Sequence, residues 1–128
     1  MPYKKKIKSG ELMRTLPRLS VLSRTPCGPR KDKQIDRLTS SQKDILCRCL
    51  KWTKDFVPEK SFTKSQLQRI SNDSDAIEFF IALNNCSKKK RERLNKKRDK
   101  LLKKTGKGFG LYLRSILPFV NSALSSKV

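Results

Sequence analysis

Leu12, Leu16, Leu19 and Leu22 recur at helical spacing, but Pro17 stands among them, so residues 11–23 predict a short or kinked helix. Two prolines and a glycine in RTPCGPR, residues 24–30, then mark a break or linker. The clearest periodicity follows. Ile45, Leu46, Cys49, Leu50, Trp52, Phe56 and Val57 fall on one broad stripe, Pro58 ends it, and Thr39 with Gln42 precedes it at capping-box spacing. An amphipathic helix over residues 41–56 is predicted, with Trp52 and Phe56 as core anchors. Thr63 and Gln66 repeat the capping box and open a short helix through Leu67 and Ile70. SNDSD, residues 71–75, reads as a turn. AIEFFIAL, residues 76–83, is the most apolar run so far and reads as the central core helix, with Asp73, Asp75 and Glu78 complementing its dipole.

Beyond Cys86 the pattern changes character. Between Lys88 and Lys104 the chain places eleven cations against only Glu92 and Asp99, a local charge of +9. Lys, Arg, Glu and Leu all favour helix, Ser87 is a suitable N-cap, and Gly106 a suitable stop. Leu94, Leu101 and Leu102 give this rod only a thin apolar seam, so it is expected to be too cationic to pack into a core. After it come a glycine-rich, flexible TGKGFG and an apolar stretch over residues 111–124, carrying one charge, Arg114, and Pro118. That stretch is short for a membrane span, which needs about 20 apolar residues. Three fates are open to it: lying in a membrane interface, docking on a protein partner, or folding back onto the core. Leu111, Tyr112, Leu113, Ile116, Leu117, Phe119 and Val120 are its candidate membrane or partner contacts.

The fold class predicted is all-α: three to five short helices, then a long basic helix, with a flexible N-terminal arm and an apolar C-terminal tail. The divisions are residues 1–36 (arm, short helix, linker), 37–86 (helical core), 87–105 (basic helix) and 106–128 (glycine hinge and tail). The basic opening residues 1–8 are followed by no apolar run, so no signal peptide is expected. In a reducing compartment Cys27, Cys47, Cys49 and Cys86 read as buried thiols, not disulfides. Zinc would need all four because histidine is absent, and on a helix Cys47 and Cys49 point about 200° apart. No metal or other cofactor is expected.

Charge decides the partner. The 128 residues carry 32 basic and 11 acidic side chains, a net charge of +21. Self-repulsion on that scale calls for a polyanion: nucleic-acid phosphate or anionic lipid. Without histidine, and with its acids scattered, the chain shows no catalytic constellation, so it reads as non-enzymatic. The glycines of GKGFG follow a helix, and the run lacks the G-x-x-x-x-G-K-[ST] pattern of a phosphate loop. Candidate phosphate contacts are Lys88, Lys89, Lys90, Arg91, Arg93, Lys96, Lys97, Arg98, Lys100, Lys103 and Lys104. No base-reading signature accompanies them, so binding is expected to be sequence-independent. The runs at residues 4–8 and 88–104 also fit nuclear-import signals.

KDILCRCLKW (residues 43–52), VPEKSFTKSQLQRI (57–70), KKKRERLNKKRDKLLKK (88–104) and GKGFGLYLRSILPFVNSAL (106–124) stand in a suggestive order. Together they resemble the small basic core protein of adenoviruses, the precursor of a DNA-condensing peptide. More closely they resemble its counterparts in Polinton/Maverick transposons and adintoviruses. The resemblance implies a virion protein that packages double-stranded DNA beside capsid proteins and passes through the host nucleus. It also implies cleavage by a viral cysteine protease near Thr105-Gly106-Lys107-Gly108, although lysine stands where that protease expects an aliphatic residue. Lysine likewise dominates where the adenovirus peptide is rich in arginine. Two rival readings remain: a membrane-active or capsid-lining minor virion protein working through the tail, and a cellular ribosomal or chromatin protein.

Overall fold

In the computed structural model, residues 9–120 are described. The basic opening at residues 1–8, its import signal, and the tail beyond Val120 lie outside them. The described residues are all-helical, with seven α-helices and no strand. These are α1 (Ser9–Arg24), α2 (Pro29–Arg37), α3 (Ser40–Phe56), α4 (Lys64–Asn72), α5 (Ser74–Ala82), α6 (Lys88–Lys104) and α7 (Lys107–Ile116), with single 3-10 turns at Glu59–Ser61, Leu83–Asn85 and Leu117–Phe119.

Local chemistry sets most of the boundaries. Both capping boxes form: the Thr39 hydroxyl accepts the Gln42 N–H at 3.1 Å while the Gln42 side chain accepts the Thr39 N–H at 2.9 Å. Thr63 and Gln66 repeat the arrangement at the start of α4. Ser87 caps α6, accepting the Lys90 N–H. Trp52 is buried on the apolar stripe of α3, whereas Phe56 remains 47% exposed at the helix end.

Several expectations need correcting. α1 is not short but continues through Pro17 for 16 residues. Leu12, Leu19 and Leu22 bury on both sides of the proline, and the carbonyl that loses its donor belongs to Met13, an exposed residue. The linker expected through Arg30 closes earlier, since Pro29 opens α2 and Gly28, at φ 150°, makes the turn before it. The core is not confined to residues 37–86. One apolar cluster runs from Leu12 through α3 and α5 to Leu102, Phe109, Leu113, Ile116 and Val120.

The glycine run is no hinge and α5 is not the centre. α7 holds that place, packed against α1, α3 and α4, while α5 lies against α3, α4 and α6. Gly108 and Gly110 make this possible, because a Cβ at either would overlap a backbone carbonyl oxygen, that of Arg69 on α4 or Ser23 on α1. Of the tail residues named as candidate membrane or partner contacts, Leu113, Ile116 and Val120 are fully buried and Leu111, Tyr112 and Leu117 half-buried, so the described part of the tail takes the fold-back course; only Phe119 of the seven is exposed. Their i, i+3, i+7 spacing serves the chain's own core.

Candidate nucleic-acid interface

Helix α6 occupies one flank of the molecule, packed against α2 and α5. The expectation that it is too cationic to pack is overturned by how its charges divide. Leu102 is completely buried, Leu94 and Leu101 pack against the core, and Arg91 and Arg98 lie between them, 8% and 3% exposed. These two arginines turn inward towards α3. Arg91 donates to the Asp44 carboxylate, and Arg98 lies 3.8 Å from Asp44 while its Nε donates to Asp99 at 3.1 Å. Lys43, also buried, closes the group by pairing with Asp99 at 3.1 Å. Burial strengthens such charge-assisted contacts and makes each partner depend on the other. Arg91 and Arg98 are thus placed as anchors of α6, not as outward cations.

The remaining charges point away. At about 100° per residue, Lys89, Arg93, Lys96, Lys97, Lys100 and Lys104 fall in one sector of the helix surface roughly 100° wide. All six are exposed, and neither acid of α6 lies within that sector. The stripe is about 22 Å long. Lys88 and Lys90 flank it at the N-terminal end, both exposed. Two members of the expected set make other contacts. Lys97 Nζ stands 4.9 Å from the centroid of the Phe79 ring. Lys103 is half-buried and pairs with Asp36 at 2.8 Å, a hydrogen bond that holds its ammonium above the ordinary lysine range.

The first turn of α6 holds Lys88, Lys89 and Lys90 and no acid. Cations there oppose the helix dipole, whose N-terminal end is already positive. A local rule broken in this way marks a functional demand more often than an oversight. An anion lying along the stripe would relieve it.

Of the acids that sequence reasoning assigned to the α5 dipole, Asp75 stands in the first turn of that helix, whereas Asp73 does different work. Asp73 makes no side-chain cap on α5. Its carboxylate instead accepts the backbone N–H groups of Gly106, at 3.1 Å, and Phe109, at 2.9 Å, across the molecule at the start of α7. The backbone of the glycine run is thereby occupied by a carboxylate of the chain itself. Cys47 and Cys49 are buried thiols, each pushed by burial up to about 12, whereas Cys27 is exposed and Cys86 intermediate.

No family model, no curated protein and no solved structure matches the chain.

Proposed function

We propose that the chain is a non-enzymatic, sequence-independent binder of double-stranded DNA, acting as a core protein of an adenovirus-like or Polinton-type element. The observation that carries the DNA reading is the outward sector of α6: six cations and no acid, on a helix held in place by Arg91, Arg98 and Leu102. Anchoring matters because a pre-ordered row of charges loses less side-chain and backbone freedom on meeting phosphate than a disordered tail does. Each lysine or arginine that meets a phosphate releases condensed counterions, and that release drives binding without reading bases. The virion setting rests on the resemblance in residues 43–124 alone, and passage through the nucleus on that resemblance and on the import-signal-like runs at residues 4–8 and 88–104.

Salt titration of duplex binding by fluorescence anisotropy tests the reading. With six phosphates neutralised, log K is expected to fall against log[salt] with a slope of about −5.4, and Lys96→Gln/Lys100→Gln is expected to flatten it to about −3.6. Unrelated duplexes should compete equally. A slope untouched by the double substitution, or strong preference for one sequence, overturns the assignment. The tail gives a membrane reading little support, since three of its seven named residues are spent on the core and no described helix is long and apolar enough to cross a membrane.

A further inference from the structure

A second concentration of positive charge lies away from the α6 stripe and has a different shape. Between the end of α1, the start of α2, the end of α4 and the first turns of α7 is a cleft of about 660 Å³. Arg24, Lys31, Arg69, Lys107 and Arg114 line it, and no acidic residue does. That volume is within the range of small-ligand pockets, roughly 300–1,000 Å³. Four of the five cations, Arg24 on α1, Arg69 on α4 and Lys107 and Arg114 on α7, are exposed around the mouth. None of the five forms an ion pair among the described residues.

Lys31 is the unusual member. It is 2% exposed, yet its ammonium meets only neutral acceptors: the Thr105 carbonyl at 2.7 Å and the Thr105 hydroxyl at 2.6 Å. The Phe109 ring lies 5.3 Å away and adds a weak cation–π attraction. Burying the ammonium is costly, and desolvation lowers the Lys31 pKa, with Cys27, Asp73 and Asp32 nearby opposing that shift in part. The nearest stretch of backbone offers no relief to an anion, because Asp73 already takes the N–H groups of Gly106 and Phe109. Side chains must therefore supply the recognition. A convex row of cations suits a polymer; cations converging on a concavity suit a compact anion of high charge.

We propose that this cleft is a second anion site, taking a small ligand with two or more adjacent phosphoryl groups. Arg24, Arg69, Lys107 and Arg114 grip the phosphoryl oxygens from the rim, and the Lys31 ammonium supplies the buried charge behind them. Arginine suits the task because its planar guanidinium can donate two hydrogen bonds to one phosphoryl group. The site is independent of the DNA reading of α6, so either assignment can fail alone.

Isothermal titration calorimetry of the full chain with inorganic tripolyphosphate, at about 0.15 M NaCl, is the test. One tripolyphosphate per chain is expected, with orthophosphate at least about tenfold weaker. Arg69→Gln/Arg114→Gln should weaken tripolyphosphate binding about tenfold or more, whereas Lys96→Gln/Lys100→Gln should leave it unchanged. Circular dichroism establishes that each variant is folded, and Arg24→Gln/Lys107→Gln replaces the first pair if it is not. Absence of binding, several equivalent sites per chain, equal affinity for orthophosphate, or equal loss in the α6 variant overturns the proposal. So does a cleft variant that loses duplex affinity while keeping tripolyphosphate, since the cleft would then belong to a polymer track.

Discussion

Gly108 and Gly110 show how much of this molecule turns on single atoms. Each lies where α7 meets the backbone of a neighbour, and an added methyl group at either would press into a carbonyl oxygen that cannot rotate away. Gly108→Ala and Gly110→Ala are each expected to destabilise the fold by about 1–3 kcal/mol, the usual cost of overpacking. Gly10 is the control. It lies in α1, and its nearest neighbour to an added Cβ is the Arg14 guanidinium at 3.9 Å, so Gly10→Ala should be neutral or stabilising by up to about 1 kcal/mol. Urea midpoints of the three variants check this, and equal midpoints for Gly10→Ala and Gly108→Ala would refute the packing account. The contrast was illegible in the sequence. A glycine chosen for a flexible turn and one chosen for close helix approach are the same letter, and TGKGFG looks like a turn. Phe109, Leu113 and Ile116 hold a clear helical spacing, but the glycines masked its beginning.

At the scale of the element, α6 carries two opposed demands on one helix. The inward face needs the Asp44 and Asp99 pairs and Leu102; the outward face carries lysines that repel one another and, in the first turn, the helix dipole. Lys89→Glu separates the two. It places an acid beside the N-terminal N–H groups and removes a repulsive cation, so it should stabilise the free protein by about 0.5–1 kcal/mol. The same change removes one member of the outward stripe and, on the proposed function, should weaken duplex binding. Opposite signs are the expected result, read from a denaturant midpoint and a binding titration on the same sample. If stability and affinity fall together, Lys89 is a structural residue and the stripe is misassigned. The extent of α6 was legible from Ser87 and from the lysine-rich run itself. Its facing was not, because the reason Arg91 and Arg98 turn inward lies on α3, in Asp44, more than forty residues away. For the same reason α2 escaped notice: a helix with Ile35 as its one buried apolar residue leaves no periodicity to find.

Across the whole molecule, the apolar core binds together segments that composition alone had separated. A chain ending at Cys86 would lose Leu102, Phe109, Leu113, Ile116 and Val120 from the one shared cluster, so removing α6 removes much of the fold with it. Point substitutions in the exposed stripe are therefore the right probe of binding, and truncation is not. The same integration exposes the fold to its own charge. With +21 on 128 residues, repulsion acts across the entire surface, and five of the eleven acids are already engaged: Asp36, Asp44, Asp55 and Asp99 in ion pairs, Asp73 on the start of α7. Screening should relieve that repulsion. Raising NaCl from about 0.01 M to 0.1 M shortens the Debye length from about 30 Å, which spans the molecule, to about 10 Å. The melting temperature is expected to rise over that interval by roughly 5 °C, equivalent to about 1 kcal/mol in a domain of this size. Lys89→Glu/Lys96→Gln/Lys100→Gln, which sheds four charges from one flank, should melt higher at low salt and gain less from added NaCl. A melting temperature that is flat or falls with NaCl would mean the surplus charge is already balanced within the fold, and the case for an external polyanion would lose its physical basis.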